Sequence, residues 1–223
     1  IRSSENIHMF DTPLLLSRNN GLSFEQKLVK RFMDIVISLV MLIITSPFML
    51  ITAVAIKLYD GGPVFFRQKR CTINGKEFYI HKFRSMIVDA EKEGEVIPAT
   101  DDDERITPVG KVIRKTRLDE LPQFIDILKG DMSVVGPRPE RVEHVEQYTE
   151  EIPEFAYRLK VKGGLTGYAQ IYGKYNTTAY DKLKLDLMYI QNYSILLDLK
   201  LIIMTVKIVF VKESTEGFED TKK

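Results

Sequence analysis

Among its 223 residues the chain has a single cysteine, Cys71. No disulfide can form within it, so a cross-linked secreted scaffold is excluded and a reducing compartment fits. It has three histidines, His8, His81 and His144, at no spacing that a zinc site uses. No glycine-rich phosphate loop of the Walker or Rossmann type is present, which removes the usual sequence support for those nucleotide folds. Internal repeats and low-complexity tracts are absent. A dominant charge of one sign is also missing, with 32 basic against 31 acidic residues. Global charge therefore argues neither for nor against nucleic acid. The first residue is not Met, so the chain is expected to be a fragment or a processed product.

What the sequence has is one long hydrophobic run. Phe32 to Ile56 carries one charge in 25 residues, Asp34. About 20 apolar residues suffice to cross a bilayer as a helix. Ser46-Pro47 lies near its middle. Proline cannot donate to the carbonyl of Ile43, whereas Ser46 is a good N-cap and proline suits a first helical position. The pair reads as the end of one half-helix and the start of another, with the Thr45 and Ser46 hydroxyls available to freed backbone groups. Both flanks are basic: Lys27, Lys30 and Arg31 before, Lys57, Arg67, Lys69 and Arg70 after. A single span should be asymmetric in this respect. A re-entrant hairpin with both ends on the cytoplasmic side and a kinked span both remain open on these features.

The remainder reads as a small α/β domain, mostly helical with a small β-hairpin. Residues 1 to 21 are expected to be a linker or tail from an upstream region, and 22 to 57 the N-terminal helix and membrane hairpin. Residues 58 to 212 are expected to form the cytoplasmic domain, with 213 to 223 a polar tail. Asn74-Gly75 predicts a hairpin turn between strands over 64–67 and 77–86. Helices are expected over 108–116, 119–129, 140–148 and 179–193, a mobile acidic loop over 89–104, and a glycine- and tyrosine-rich loop around 162–176. Residues 195 to 212 are very apolar but interrupted by Asp198, Lys200 and Lys207. They suit an interfacial amphipathic helix whose lysines snorkel, or a buried packing helix.

Local charge is uneven. Lys57 to Lys92 holds eight basic against four acidic residues, and Glu140 to Glu154 six Glu and one Arg. Within "RKTRLDELPQF" the adjacent acids Asp119 and Glu120 follow Arg114 and Arg117. They suit a helix N-terminus, where carboxylates cap and complement the dipole. The same place would keep a carboxylate ionised beside arginines, and an ionised Asp can attack phosphorus. Arg114, Arg117 and Arg138 are suited to phosphate, and the prolines of "GPRP" hold Arg138 rigidly; a solvated basic surface and a structural turn are the plainer readings. Lys82 and Arg84 are expected on one side of a strand, as its polar face or as an anion site. The acidic run 101–104 offers an Asp-x-Asp pattern, a feature of some metal-dependent glycosyltransferases.

Taken together, "KRFMDIVIS…TSPFML", "GGPVFFRQKR", "FYIHKFRSM", "RLDELPQFIDILKGDMSVVGPRPE" and "GLTGYAQIYG" resemble the monotopic phosphoglycosyl transferases, the bacterial sugar transferase family. The likeness runs from about Leu28 to Lys212. It implies a membrane-associated monotopic domain with a re-entrant helix broken at Ser46-Pro47. It places an Asp-Glu dyad on Asp119 and Glu120, and functional basic residues on Lys82, Arg114 and Arg138. It implies transfer of a sugar 1-phosphate from a UDP-sugar to polyprenyl (undecaprenyl) phosphate at the cytoplasmic face of the cell membrane. UMP would leave, a phosphosugar–Asp119 intermediate would form, and Mg²⁺ would act with Asp119 and with Glu120, whose role is either to coordinate the metal or to orient the lipid phosphate. The extra N-terminal residues resemble the end of the long-form members' upstream region. Partners are then the two substrates and membrane lipid, with a homo-oligomer possible and no nucleic acid. A non-catalytic adaptor for anionic lipid, or a direct glycosyltransferase, would be the alternatives.

Overall fold

The structure is a computed structural model that describes residues 4–9, 12–17, 21–90, 103–173 and 177–210. Residues 91–102 of the expected acidic loop at 89–104, and all of the expected tail at 213–223, lie outside the described residues. The segment expected to be a linker contains two antiparallel strands, β1 (Ser4–Met9) and β2 (Thr12–Ser17).

The apolar run becomes one helix, α1 (Phe24–Asp60), of 37 residues. A capping box starts it: the Gln26 N–H donates to Ser23 Oγ at 3.2 Å, and the Ser23 N–H to Gln26 Oε1 at 2.9 Å. Gly61 ends it at φ 70°, a left-handed value that glycine adopts without strain. The helix does not end at Ser46 as expected; Pro47 lies inside it. The reason is local. The Ser46 hydroxyl donates to the Ile43 carbonyl at 2.8 Å, supplying the bond that Pro47 cannot make, and Thr45 donates to Met41 at 2.7 Å. Large apolar side chains such as Phe32, Ile43, Leu50, Ile51 and Leu58 are exposed on α1.

Both ends of α1 are held by one body. Near its start, the Arg31 guanidinium donates to the Ile127 and Leu128 carbonyls at 2.6 and 2.7 Å. Asp34 Oδ1 accepts from Ser133 Oγ and the Val134 N–H at 2.9 and 2.8 Å. Lys30, read from sequence as a basic flank, is instead buried 2.6 Å from Asp198. Near its end, Asp60 pairs with Arg84, and Ile56 packs with Phe83 and Ile113.

A hairpin of β3 (Phe65–Cys71) and β4 (Glu77–Phe83) follows, turning through Asn74 and Gly75 at φ 56° and 73°. Next come α2 (Pro108–Lys115), capped by Thr107, and α3 (Gln123–Lys129), closed by Gly130 at φ 95°. β5 (Ser133–Val135) leads through "GPRP" to α4 (Val142–Glu151). The region expected to be a glycine-rich loop contains β6 (Gly164–Thr166), which pairs in parallel with β5, and α5 (Tyr168–Tyr172). Glycine permits that pairing: a Cβ on Gly164 would stand 2.1 Å from the Gly136 nitrogen. Two helices, α6 (Ala179–Gln191) and α7 (Ile195–Phe210), complete the described residues. Their Tyr189 and Leu201 join Phe78, Ile80, Phe124, Ile127 and Met132 in the main core. α7 keeps Leu196, Leu199, Ile203 and Val206 exposed. Asp198, expected as an interruption, is the buried partner of Lys30 and of the Tyr189 hydroxyl.

Candidate active site

Asp119 and Glu120 do not begin a helix. They lie on a single 3-10 turn, Leu118–Glu120, between α2 and α3. Pro122 interrupts the expected 119–129 helix and stands at the N-terminus of α3. Arg117 enters the turn at φ 58°, ψ 16°, a backbone position rare for a residue with a side chain. The turn then closes with Leu121 donating to Leu118 at 3.2 Å. The charge environment of the acids is therefore set by cations rather than by a helix dipole.

Glu120 is the anchored acid. Its Oε1 receives Lys82 Nζ at 3.0 Å and Arg138 Nη2 at 2.8 Å. Burial works against its ionisation, but Lys82 and Arg138 outweigh burial and hold the carboxyl well below the usual range. Asp119 is different. No described residue donates a hydrogen bond to its side chain, which is partly buried. Burial pushes its carboxyl up, and the charge of Glu120 adds to the effect; Lys82, Arg114 and Arg117 oppose it. The arginines expected to favour its charged form do so, but burial outweighs them in the direction of the shift.

The structure brings Lys82, Arg138, Asp119 and Glu120 together, with Arg114 and Arg117 close enough to act on Asp119 electrostatically. Neither Arg114 nor Arg117 makes an ion pair among the described residues. Arg84 is not part of the group. It is 6% exposed, donates to the Pro63 carbonyl at 2.6 Å and pairs with Asp60 at the end of α1. β4 ends at Phe83, so the strand alternation that put Arg84 beside Lys82 stops one residue short.

Two further residues hold the Arg138 loop. Arg158 Nη2 donates to the Arg138 carbonyl at 2.9 Å while its guanidinium pairs with Asp186 at 2.8 Å. Arg70 Nη1 donates to the Pro139 carbonyl at 3.2 Å. No spacing in the sequence marks these contacts, because they join segments far apart in the chain. Of the acidic run, Asp101 and Asp102 lie outside the described residues, and Asp103 is taken by Arg105 at 2.6 Å. Cys71 is buried and free.

Both donors to Glu120 use Oε1, so Oε2 and the two Asp119 oxygens have no protein donor among the described residues. These are hard oxygen ligands on adjacent residues. Mg²⁺ is commonly held by one or two carboxylates together with substrate phosphates, and the donor set fits that pattern.

A family profile described as bacterial sugar transferase matches residues 25–212, a span that takes in α1, the acid pair, Lys82 and Arg138. Among curated proteins, a UDP-glucose:undecaprenyl-phosphate glucose-1-phosphate transferase of Klebsiella pneumoniae is 46% identical over 93% of this chain and 44% of its own length. A UDP-N-acetylgalactosamine-undecaprenyl-phosphate N-acetylgalactosaminephosphotransferase of Aeromonas hydrophila is 46% identical over 81% of this chain and 43% of its own. An undecaprenyl-phosphate galactose phosphotransferase of Salmonella typhimurium is 36% identical over 93% of this chain and 46% of its own. The chain thus spans under half the length of these three relatives. A profile match that runs through the long apolar helix and the whole charged cluster, with relatives at this identity, shows that the chain belongs to the bacterial sugar transferase family.

Proposed function

We propose that this chain is the catalytic part of a phosphoglycosyl transferase that moves a sugar 1-phosphate from a UDP-sugar to a membrane polyprenyl phosphate. The observation that carries the reading is the contrast within the acid pair: Glu120 is pinned by two cations, while Asp119 has no hydrogen-bond donor among the described residues. A carboxylate so placed is available as a nucleophile. An Asp119 oxygen attacks the sugar-bearing phosphorus, the bond from that phosphorus to the bridging oxygen breaks, and UMP leaves. An oxygen of the polyprenyl phosphate then attacks the phosphosugar–Asp119 phosphorus, the bond to Asp119 breaks, and the carboxylate is restored. Both substrates are anions, and among the described residues Arg114 and Arg117 make no ion pair that would have to be displaced before meeting them. Lys82 and Arg138 hold Glu120 and keep positive charge where phosphate oxygens gather. Mg²⁺ held by Asp119 and Glu120 would neutralise diphosphate charge.

The membrane part of the reading rests on α1. A 37-residue helix is about 55 Å long, well beyond a hydrocarbon core of about 30 Å. Its two ends are nevertheless gripped by the same folded body, through Arg31 and Asp34 at one end and Asp60 at the other. A span with its ends on opposite faces could not keep both grips. We therefore read residues 22 to 57 as entering one leaflet, with residues 58 to 212 on the cytoplasmic face. The exposed apolar face of α7 would lie along the same interface. A lipid phosphate stays at headgroup depth because its tail is buried, and this seating would bring the acid pair to it.

The test is the nucleotide released. With polyprenyl phosphate and Mg²⁺, UDP-sugars should yield UMP and a polyprenyl diphosphosugar. Release of UDP would replace this reading with direct glycosyl transfer. Absence of any release across the UDP-sugars would replace it with a lipid-binding adaptor.

A further inference from the structure

We propose that Asp126 and His81 form a bracket that positions Lys82 against Glu120, and so act in the reaction proposed above without touching substrate. Asp126, on α3, is 1% exposed. Both of its oxygens are spent on one residue: Oδ2 accepts the main-chain N–H of His81 at 2.8 Å, and Oδ1 accepts from His81 Nδ1 at 2.5 Å. His81 lies on β4, and its N–H points away from β3 because Asp126 takes it. The bracket therefore fixes the free edge of β4 to α3.

The two pieces it joins are those that must agree on one distance. Lys82 is the next residue along β4, and its ammonium reaches Glu120 at 3.0 Å. Glu120 belongs to the 3-10 turn that runs directly into α3, with Phe124 donating to Leu121 and Ile125 to Pro122 at 3.2 and 3.0 Å. Asp126 thus stands on the same rigid piece as the acid pair and ties it to the strand that carries the lysine. Apolar contacts of Phe78 and Ile80 with Phe124 and Ile127 join the same elements, but such packing tolerates sliding. Two directional hydrogen bonds to one residue, one to its main chain and one to its ring, set register. Burying a carboxylate for an apolar join alone would be costly.

The readout is the reactivity of Lys82 towards acetic anhydride, followed by mass spectrometry on the full chain in detergent, with Lys30 as an internal control buried elsewhere. In Asp126→Ala, acylation of Lys82 should rise about fivefold or more while Lys30 stays constant, since local opening is what changes. The kcat for UMP release from UDP-glucose should fall about tenfold or more with KM little altered, as for a misplaced catalytic group. Unchanged Lys82 labelling, or a rise shared by Lys30, would overturn the bracket, because the first means no positioning and the second general loosening. Should Asp126→Ala fail to fold, Asp126→Asn and His81→Phe carry the same labelling comparison. If Asp119→Asn keeps full turnover, the functional reading falls, yet the labelling still decides the bracket.

Discussion

At the residue scale, two adjacent carboxylates are driven apart in character by what surrounds them. Glu120 is held ionised by Lys82 and Arg138, whereas burial and the charge of Glu120 raise Asp119. Asp119→Asn keeps the shape and removes the proposed nucleophile. It should lower turnover at least about a thousandfold and abolish any phosphosugar adduct in intact-mass spectra; an adduct in that variant would remove Asp119 from the role. The sign of the pH dependence follows from the shift. Attack needs the carboxylate, so activity is retained above its raised pKa and lost as pH falls through it. The acid limb of kcat/KM should lie above the ordinary aspartate value of about 3.9. Because Arg114 and Arg117 oppose the shift, Arg114→Ala or Arg117→Ala should move that limb to still higher pH in a pH–rate profile. The identity of these six charged residues was legible from the "FYIHKFRSM", "RKTRLDELPQF" and "GPRP" blocks. Which acid is pinned and which is free was not, because Lys82 and Arg138 come from segments 38 and 18 residues from Glu120.

At the element scale, α1 shows why an apolar run does not report its own contacts. The period and length announce a long helix, yet Lys30 and Asp34 are among its buried residues. Lys30 sits between Asp198 of α7 and the hydroxyl of Tyr189 of α6. Removing one member of a buried pair leaves an uncompensated charge, at a cost of about 3–5 kcal/mol. Lys30→Met is expected to lower the melting temperature accordingly. The double variant Lys30→Met/Asp198→Leu should recover much of the loss in the same calorimetric measurement. Ser46-Pro47 carries the opposite lesson. The sequence announces a break, but one hydroxyl bond to Ile43 supplies what proline withholds, and the helix continues. Arg84 was misplaced for a related reason: alternation governs a strand only as far as the strand extends.

At the scale of the whole molecule, one folded body grips both ends of α1 and presents exposed apolar faces on α1 and α7. Gly21→Cys and Arg67→Cys, placed on either side of α1, should both be labelled by an impermeant thiol reagent from the cytoplasmic side. Labelling of the two from opposite sides would establish a span. Cys71 is buried and should give little background. By itself the sequence determined the long apolar helix, the β3–β4 hairpin, most of the helices and the residues capable of phosphoryl chemistry, because hydrophobic period, turn residues and side-chain chemistry are local properties. Only the tertiary structure decided the burial of Lys30 and Asp198, the exile of Arg84 to a structural pair, and the freedom of Asp119. Each of these depends on a neighbour distant in the chain, and neither burial nor pairing across such distances is written in any short stretch of it.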